Sequence, residues 1–230
     1  MTSPDVSLWS RFRTRVRESS WAIDANDGII STAGVLLGFA GAGAGDRLLL
    51  FTASATLLAG GLSAGGAKWA EVAAERETQL EMAQHEADQV ARDPDGELAA
   101  LASHWRERGL DATTAQAVAE QLMAHDPVAA QLDADYGVEE IMSRSAPWWA
   151  GVEAALAFMI GAAVPLLITY FAPVAIESWV ILIAVVVSLT LTSLVAAGLG
   201  RLSALRMLRR SLIVGLGTMT VSYLAGLAFF

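Results

Sequence analysis

Five stretches of this chain contain no Asp, Glu, Lys or Arg: Gly28 to Gly45, Leu48 to Ala67, Ala154 to Ile176, Ser178 to Gly200 and Ser211 to Phe230. Each is about 18 to 23 residues long, enough as a helix to cross roughly 30 Å of bilayer hydrocarbon. A water-soluble fold of 230 residues could bury one such stretch, but five would leave too little polar chain to cover the core. In lipid the backbone has to satisfy its own hydrogen bonds, and a helix does so within one segment. The expected fold is all-α: a five-transmembrane-helix membrane protein with a cytoplasmic helical domain inserted between helices 2 and 3.

The basic residues set the expected orientation. Arg11, Arg13, Arg15 and Arg17 precede the first span, and Arg201, Arg206, Arg209 and Arg210 lie between the fourth and fifth. The first-to-second connection holds only Arg47, and the third-to-fourth holds none. The positive-inside rule then places the N-terminus and the inserted domain in the cytoplasm and the C-terminus outside. The expected divisions are an N-terminal segment 1–20, helices 1 and 2 over 21–69, the inserted domain over 70–147, and helices 3 to 5 over 148–230. Val6, Trp9, Phe12 and Val16 recur at helical spacing among the arginines. That segment is either an amphipathic helix on the inner membrane surface or a plain basic topology signal. It does not have the short apolar region and cleavage site of a secretory leader.

The net charge of −9 is unevenly spread. Glu71 to Pro147 holds 17 acidic residues against 5 arginines. An acidic face beside a membrane concentrates cations and repels nucleic acid and anionic lipid. The absence of cysteine excludes disulfides, thiolate metal sites and cysteine nucleophiles.

Helix signals subdivide the acidic block. Nothing breaks the second helix where it leaves the membrane, because Gly66 to Gln89 has no proline and favours helix from Ala70 onward. One long helix is expected. Asp93-Pro94 caps the next helix, which stops at Gly109. Asp111 caps a third from Ala112, and Asp126-Pro127 opens a short fourth that ends near Gly137. These three short helices are expected to pack on the long one. In the spans, Gly34, Gly38 and Ala42, and likewise Gly61 and Gly65, form small-residue stripes suited to close helix contact, within a subunit or across a dimer.

Two groups of polar residues are candidates for chemistry. Asp24, Asp27 and Ser31 lie on one helix face at the mouth of the first span. They are either a cation or proton site on a pathway or, through Asn26-Asp27-Gly28, the cap of that helix. On the long helix, Glu77, Glu81, His85 and Asp88 form one acidic stripe, with Met82 and Glu86 on its flank. Carboxylates with an imidazole suit Fe(II), Mn(II), Co(II) or Zn(II); an ordinary solvated face has the same pattern. Lys68 and Glu153 fall at similar depth at the cytoplasmic ends of the second and third spans; either they pair, or Lys68 snorkels to the interface and Glu153 faces water. No His follows a Glu at the spacing of di-iron bundles, and no nucleophile elbow, phosphate loop or dinucleotide fingerprint is present. The chain is not expected to be an enzyme or to hold a tight cofactor.

Several runs resemble the vacuolar iron transporter family, in particular its bacterial and nodulin-like branch. They are Ala25-Asn26-Asp27-Gly28-Ile29-Ile30-Ser31-Thr32-Ala33-Gly34, Ala59-Gly60-Gly61-Leu62-Ser63, Asp93-Pro94 with Glu97-Leu98, Arg108-Gly109-Leu110-Asp111, and Val118 to Asp126. The resemblance implies a homodimeric exporter of Fe(II), and often Mn(II), from the cytoplasm in exchange for protons, and a bacterial inner membrane as its location. It implies that Asp27 lines the pathway and that Glu86 and Glu97 bind metal in the cytoplasmic domain. It places Asp135 at a late ligand position. The chain departs from the family pattern at Ala64, where a methionine is usual, and at Gln89, Ala100, Gln131 and Leu132. Lys68 stands where some members of the branch carry Glu. Two functions follow: a divalent metal exporter, or a non-transporting membrane metal sensor or interaction protein on the same scaffold.

Overall fold

The computed structural model describes residues 6–171, 174–200 and 204–229. The side chains of Val6, Trp9, Phe12 and Val16, and all of Arg201, lie outside what it describes. The described elements are α-helices: α1 (Val6–Gly41), α2 (Asp46–Arg92), α3 (Pro94–Glu107), α4 (Ala112–His125), α5 (Pro127–Tyr136), α6 (Ala146–Phe171), α7 (Val174–Gly200) and α8 (Ala204–Phe229).

Three described helices are long and apolar enough to cross a membrane: α2, α6 and the Leu208–Phe229 part of α8. A further apolar run, Trp179–Leu191, lies in α7. In α1 the charge-free part of the helix follows Asp24 and Asp27 and runs to Gly41. α1 begins at Val6, not at Asp27. No proline interrupts the chain between Val6 and Gly41, so the Arg-rich segment and the first apolar stretch are one helix. Asp27 is therefore an interior helical residue, and the capping reading of Asn26-Asp27-Gly28 does not hold.

The chain divides into two compact units, Met1–Trp69 with Trp148–Phe230, and Ala70–Pro147. In the first, α1 packs against α7 and α8, and α7 against α8. Ile29, Ala33, Leu36, Leu49, Ile181, Val185, Leu189 and Met219 form its buried cluster. The small-residue stripes serve contacts within this unit. Gly34 and Gly38 face Thr218 and Ser222 of α8, while Gly61 and Gly65 face α6. A Cβ on Gly65 would come within 2.7 Å of the Gly151 carbonyl oxygen, so the backbones approach as only glycine allows. A very close crossing joins α1 to α6: a Cβ on Gly28 would meet the Phe158 carbonyl, and one on Gly161 would meet the Ala25 carbonyl. Large apolar side chains such as Phe51, Leu62, Leu156, Ile160, Ile183 and Val221 are exposed, as expected of surfaces meant for lipid.

The second unit is built from the caps upward. The Asp93 carboxylate accepts from the Gly96 amide at 2.9 Å, with Pro94 as the first helical residue. Asp111 accepts from the Thr113 and Thr114 amides, and Asp126 from the Ala129 amide. Gly109 and Gly137 stop their helices at φ +102° and +67°, where a side chain would be strained. α3 packs on α4 and α5 around Leu101, Ala102 and Ala119, with Leu98, Trp105, Leu122 and Met123 against them. The segment after α5 is tied to the α2 stretch of this unit. Arg76 Nε donates to the Met142 carbonyl, and the Met142 amide donates to Gln79 Oε1, both at 2.9 Å.

Candidate functional site

The membrane unit offers the α1 face. Asp27 is exposed, with Asp24 and Ser31 half-buried beside it. The Ser31 hydroxyl donates to Asp27 Oδ1 at 3.4 Å, one turn on. Gly28, the next residue, is buried at the crossing with α6, so the same turn that presents Asp27 is locked on its other side by backbone contact. One turn further, Thr32 is fully buried and its hydroxyl has no hydrogen-bond partner. A buried hydroxyl left unpaired in an apolar setting is costly.

In the second unit the acidic stripe and the buried acid are different things. Glu77, Glu81, His85 and Asp88 are all exposed on α2, and Asp88 accepts from the Gln84 side-chain amide at 3.2 Å. Glu86 is fully buried. Its Oε1 accepts from the Tyr136 hydroxyl at 3.2 Å and from the Gln89 side-chain amide at 3.4 Å. Its Oε2 is buried and has no partner. A buried carboxylate oxygen left unsatisfied is expensive unless a proton or a cation meets it.

Glu97 of α3 shares that neighbourhood. Burial first, and then the charges of Glu86, Asp135 and Asp93, push its carboxyl above the ordinary value of 4.5, while His85 pulls it down. The charges of Glu86 on α2 and Asp135 on α5 thus both act on Glu97 of α3. The same surroundings raise the Tyr136 phenol, through desolvation and its bond to Glu86. α5 holds the arrangement together. Gln131 is buried, and its side-chain amide donates to the Glu97 carbonyl at 2.8 Å.

Among the described residues no three His, Asp or Glu side chains are already closed into a metal-holding group. The carboxylates of Glu86, Glu97 and Asp135 form a shared negative field with one open acceptor, which a cation would have to draw together. The spacing of residues along α2 does not reveal that Glu86 alone turns inward. Tyr136 carries no sequence signal beyond its place in a short helix ahead of the Gly137 stop, and Gln131 none beyond standing at a family ligand position.

A protein whose described elements are all helices, three of them long and apolar enough to cross a membrane, has the make-up of an integral membrane protein. The model of the VIT family matches residues 19–227, and the chain belongs to that family. A protein of Acanthamoeba castellanii described as "Vacuolar iron transporter" is 31% identical over 151 residues, which is 66% of this chain and 54% of the relative. The chain therefore matches about half the length of that relative.

Proposed function

We propose that this chain exports divalent metal ions, Fe2+ or Mn2+, from the cytoplasm in exchange for protons. In this reading five helices, α1, the first part of α2, α6, α7 and α8, cross a bacterial inner membrane, with the N-terminus and the Ala70–Pro147 unit in the cytoplasm. The protein acts as a homodimer. Glu86, Glu97 and Asp135 collect metal, the exposed Glu77, Glu81, His85 and Asp88 raise its local concentration, and Asp24, Asp27 and Ser31 line the path.

The observation that carries the reading is the fully buried Glu86, with one oxygen held and the other open, in a member of the VIT family. Proton exchange follows from the chemistry of Asp27. A carboxylate in the path binds either a metal ion or a proton, so loading one releases the other. The direct test is growth of a metal-sensitive host expressing the protein, across iron, manganese, cobalt and zinc. Protection against iron or manganese is the expected result, and no protection against any of the four contradicts it.

A second reading, a membrane metal sensor without transport, is favoured by the lack of a closed three-residue metal group among the described residues and by Ala64, a side chain with no ligand atom, in the α2 span. Metal binding by the purified protein without protection of the host is the outcome that selects it.

A further inference from the structure

The carboxylate centre contains a group that is neither acid nor imidazole. Tyr136 is the last residue of α5, just before the left-handed Gly137. The stop at Gly137 ends the helix with the phenol directed back to α2, where its hydroxyl donates to Glu86 Oε1 at 3.2 Å. Tyr136 as a residue is 42% exposed, so it is not locked in place by full burial. The Gln89 amide approaches the same oxygen. Both donors converge on Oε1, and Oε2 is left buried and unpaired. Two donors on one oxygen fix the carboxylate plane and present the second oxygen alone. Asp135, adjacent to Tyr136 on α5, contributes its charge to the same neighbourhood.

We propose that Tyr136 is a positioning residue of the cation site, holding Glu86 by one oxygen so that the other is offered, already oriented, to a divalent metal ion of the hard, oxygen-seeking class such as Mn2+. This rests on the metal-handling reading given above. A carboxylate fixed in advance loses less freedom on binding than one that must be ordered by the ion. The carboxylate oxygens of Glu86, Glu97 and Asp135 match the preference of Mn2+ for carboxylate ligands. Tyr136 acts through Glu86 and is not assigned as a ligand.

The test uses the full chain purified in detergent, with Mn2+ alone as the probe and free Mn2+ counted by electron paramagnetic resonance. Three proteins are compared: the native chain, Tyr136→Phe and Glu86→Gln. Tyr136→Phe removes only the hydroxyl. The expected result is Mn2+ affinity at the Glu86-dependent site lowered by about tenfold, as for loss of one hydrogen bond to a charged group. The metal-free melting temperature stays unchanged while the melting shift caused by Mn2+ shrinks. Native affinity in Tyr136→Phe, with Glu86→Gln impaired, overturns the role of Tyr136 and leaves the site standing. A fall in the metal-free melting temperature without loss of affinity makes Tyr136 a structural residue and also overturns it. Native affinity in Glu86→Gln removes the site itself, and the proposal with it.

Discussion

Gln131 and Glu97 are joined by a part-buried hydrogen bond, from the side-chain amide of one to the backbone carbonyl of the other, at 2.8 Å. The bond pins α5 to α3 at the residue whose carboxylate belongs to the proposed metal centre. The position that the family resemblance marks for a ligand is occupied here by a fastener. Gln131→Met keeps the volume but removes this donor, leaving the Glu97 carbonyl only the bond it accepts within α3. It should destabilise the second unit by about 0.5–1.5 kcal/mol, read as loss of helical signal at lower temperature, with weaker Mn2+ binding as a consequence.

The glycine crossing of α1 and α6 predicts a contrast. At Gly161 a new Cβ would run into the Ala25 backbone, which cannot swing aside as a side chain can. Gly161→Ala should lower the detergent melting temperature, at a cost of about 1–3 kcal/mol or more for overpacking. Gly66 has nothing within 4 Å of a built Cβ, and Gly66→Ala should be neutral or slightly stabilising, since alanine favours helix. Equal effects of the two would contradict the crossing.

Stability of the metal-free protein should depend on pH in two separate windows. Glu97 is raised above 4.5, so the folded chain holds its proton more tightly than the unfolded chain. Stability then falls as pH rises past 4.5 and levels off once the folded-state value is passed. Asp111 is lowered below 3.8, chiefly by the Thr114 hydroxyl and amide. Its contribution is present above 3.8 and lost as pH falls through the folded-state value. Melting curves in chelator should show Glu97→Gln abolishing the upper decline, and Asp111→Asn blunting the lower one.

Much of the second unit is legible from one sequence because its boundaries are written in capping chemistry. Asp93-Pro94, Asp111, Asp126-Pro127 and Gly137 act within three or four residues of where they stand, so local spacing suffices. The start of α1 is not legible in that way. Asn26-Asp27-Gly28 has the composition of a cap, but a helix already running from Val6 has no need of one there. The inward turn of Glu86 is also hidden. Along α2 it is one acid among several, and it becomes the buried one only because the end of α5 comes to it, fifty residues later in the chain. The acidic stripe at Glu77, Glu81, His85 and Asp88 follows correctly from periodicity as a face, and that face is exposed.

Lys68 and Glu153 are expected to stabilise each other at the membrane boundary, where an isolated charge is costly. A double-mutant cycle with Lys68→Gln and Glu153→Gln should give a coupling energy of about 0.5 kcal/mol or more, measured as detergent stability. Strictly additive effects contradict the pairing.

Asp27 is proposed to stand in a metal pathway coupled to protons. The most direct measurement is uptake of Mn2+ or Fe2+ into inside-out vesicles, with the lumen made acidic relative to the bath. Uptake should depend on the proton gradient and should be lost in Asp27→Asn while the variant retains native helicity and melting temperature. Gradient-independent uptake, or flux in Asp27→Asn equal to that of the native chain, would contradict it.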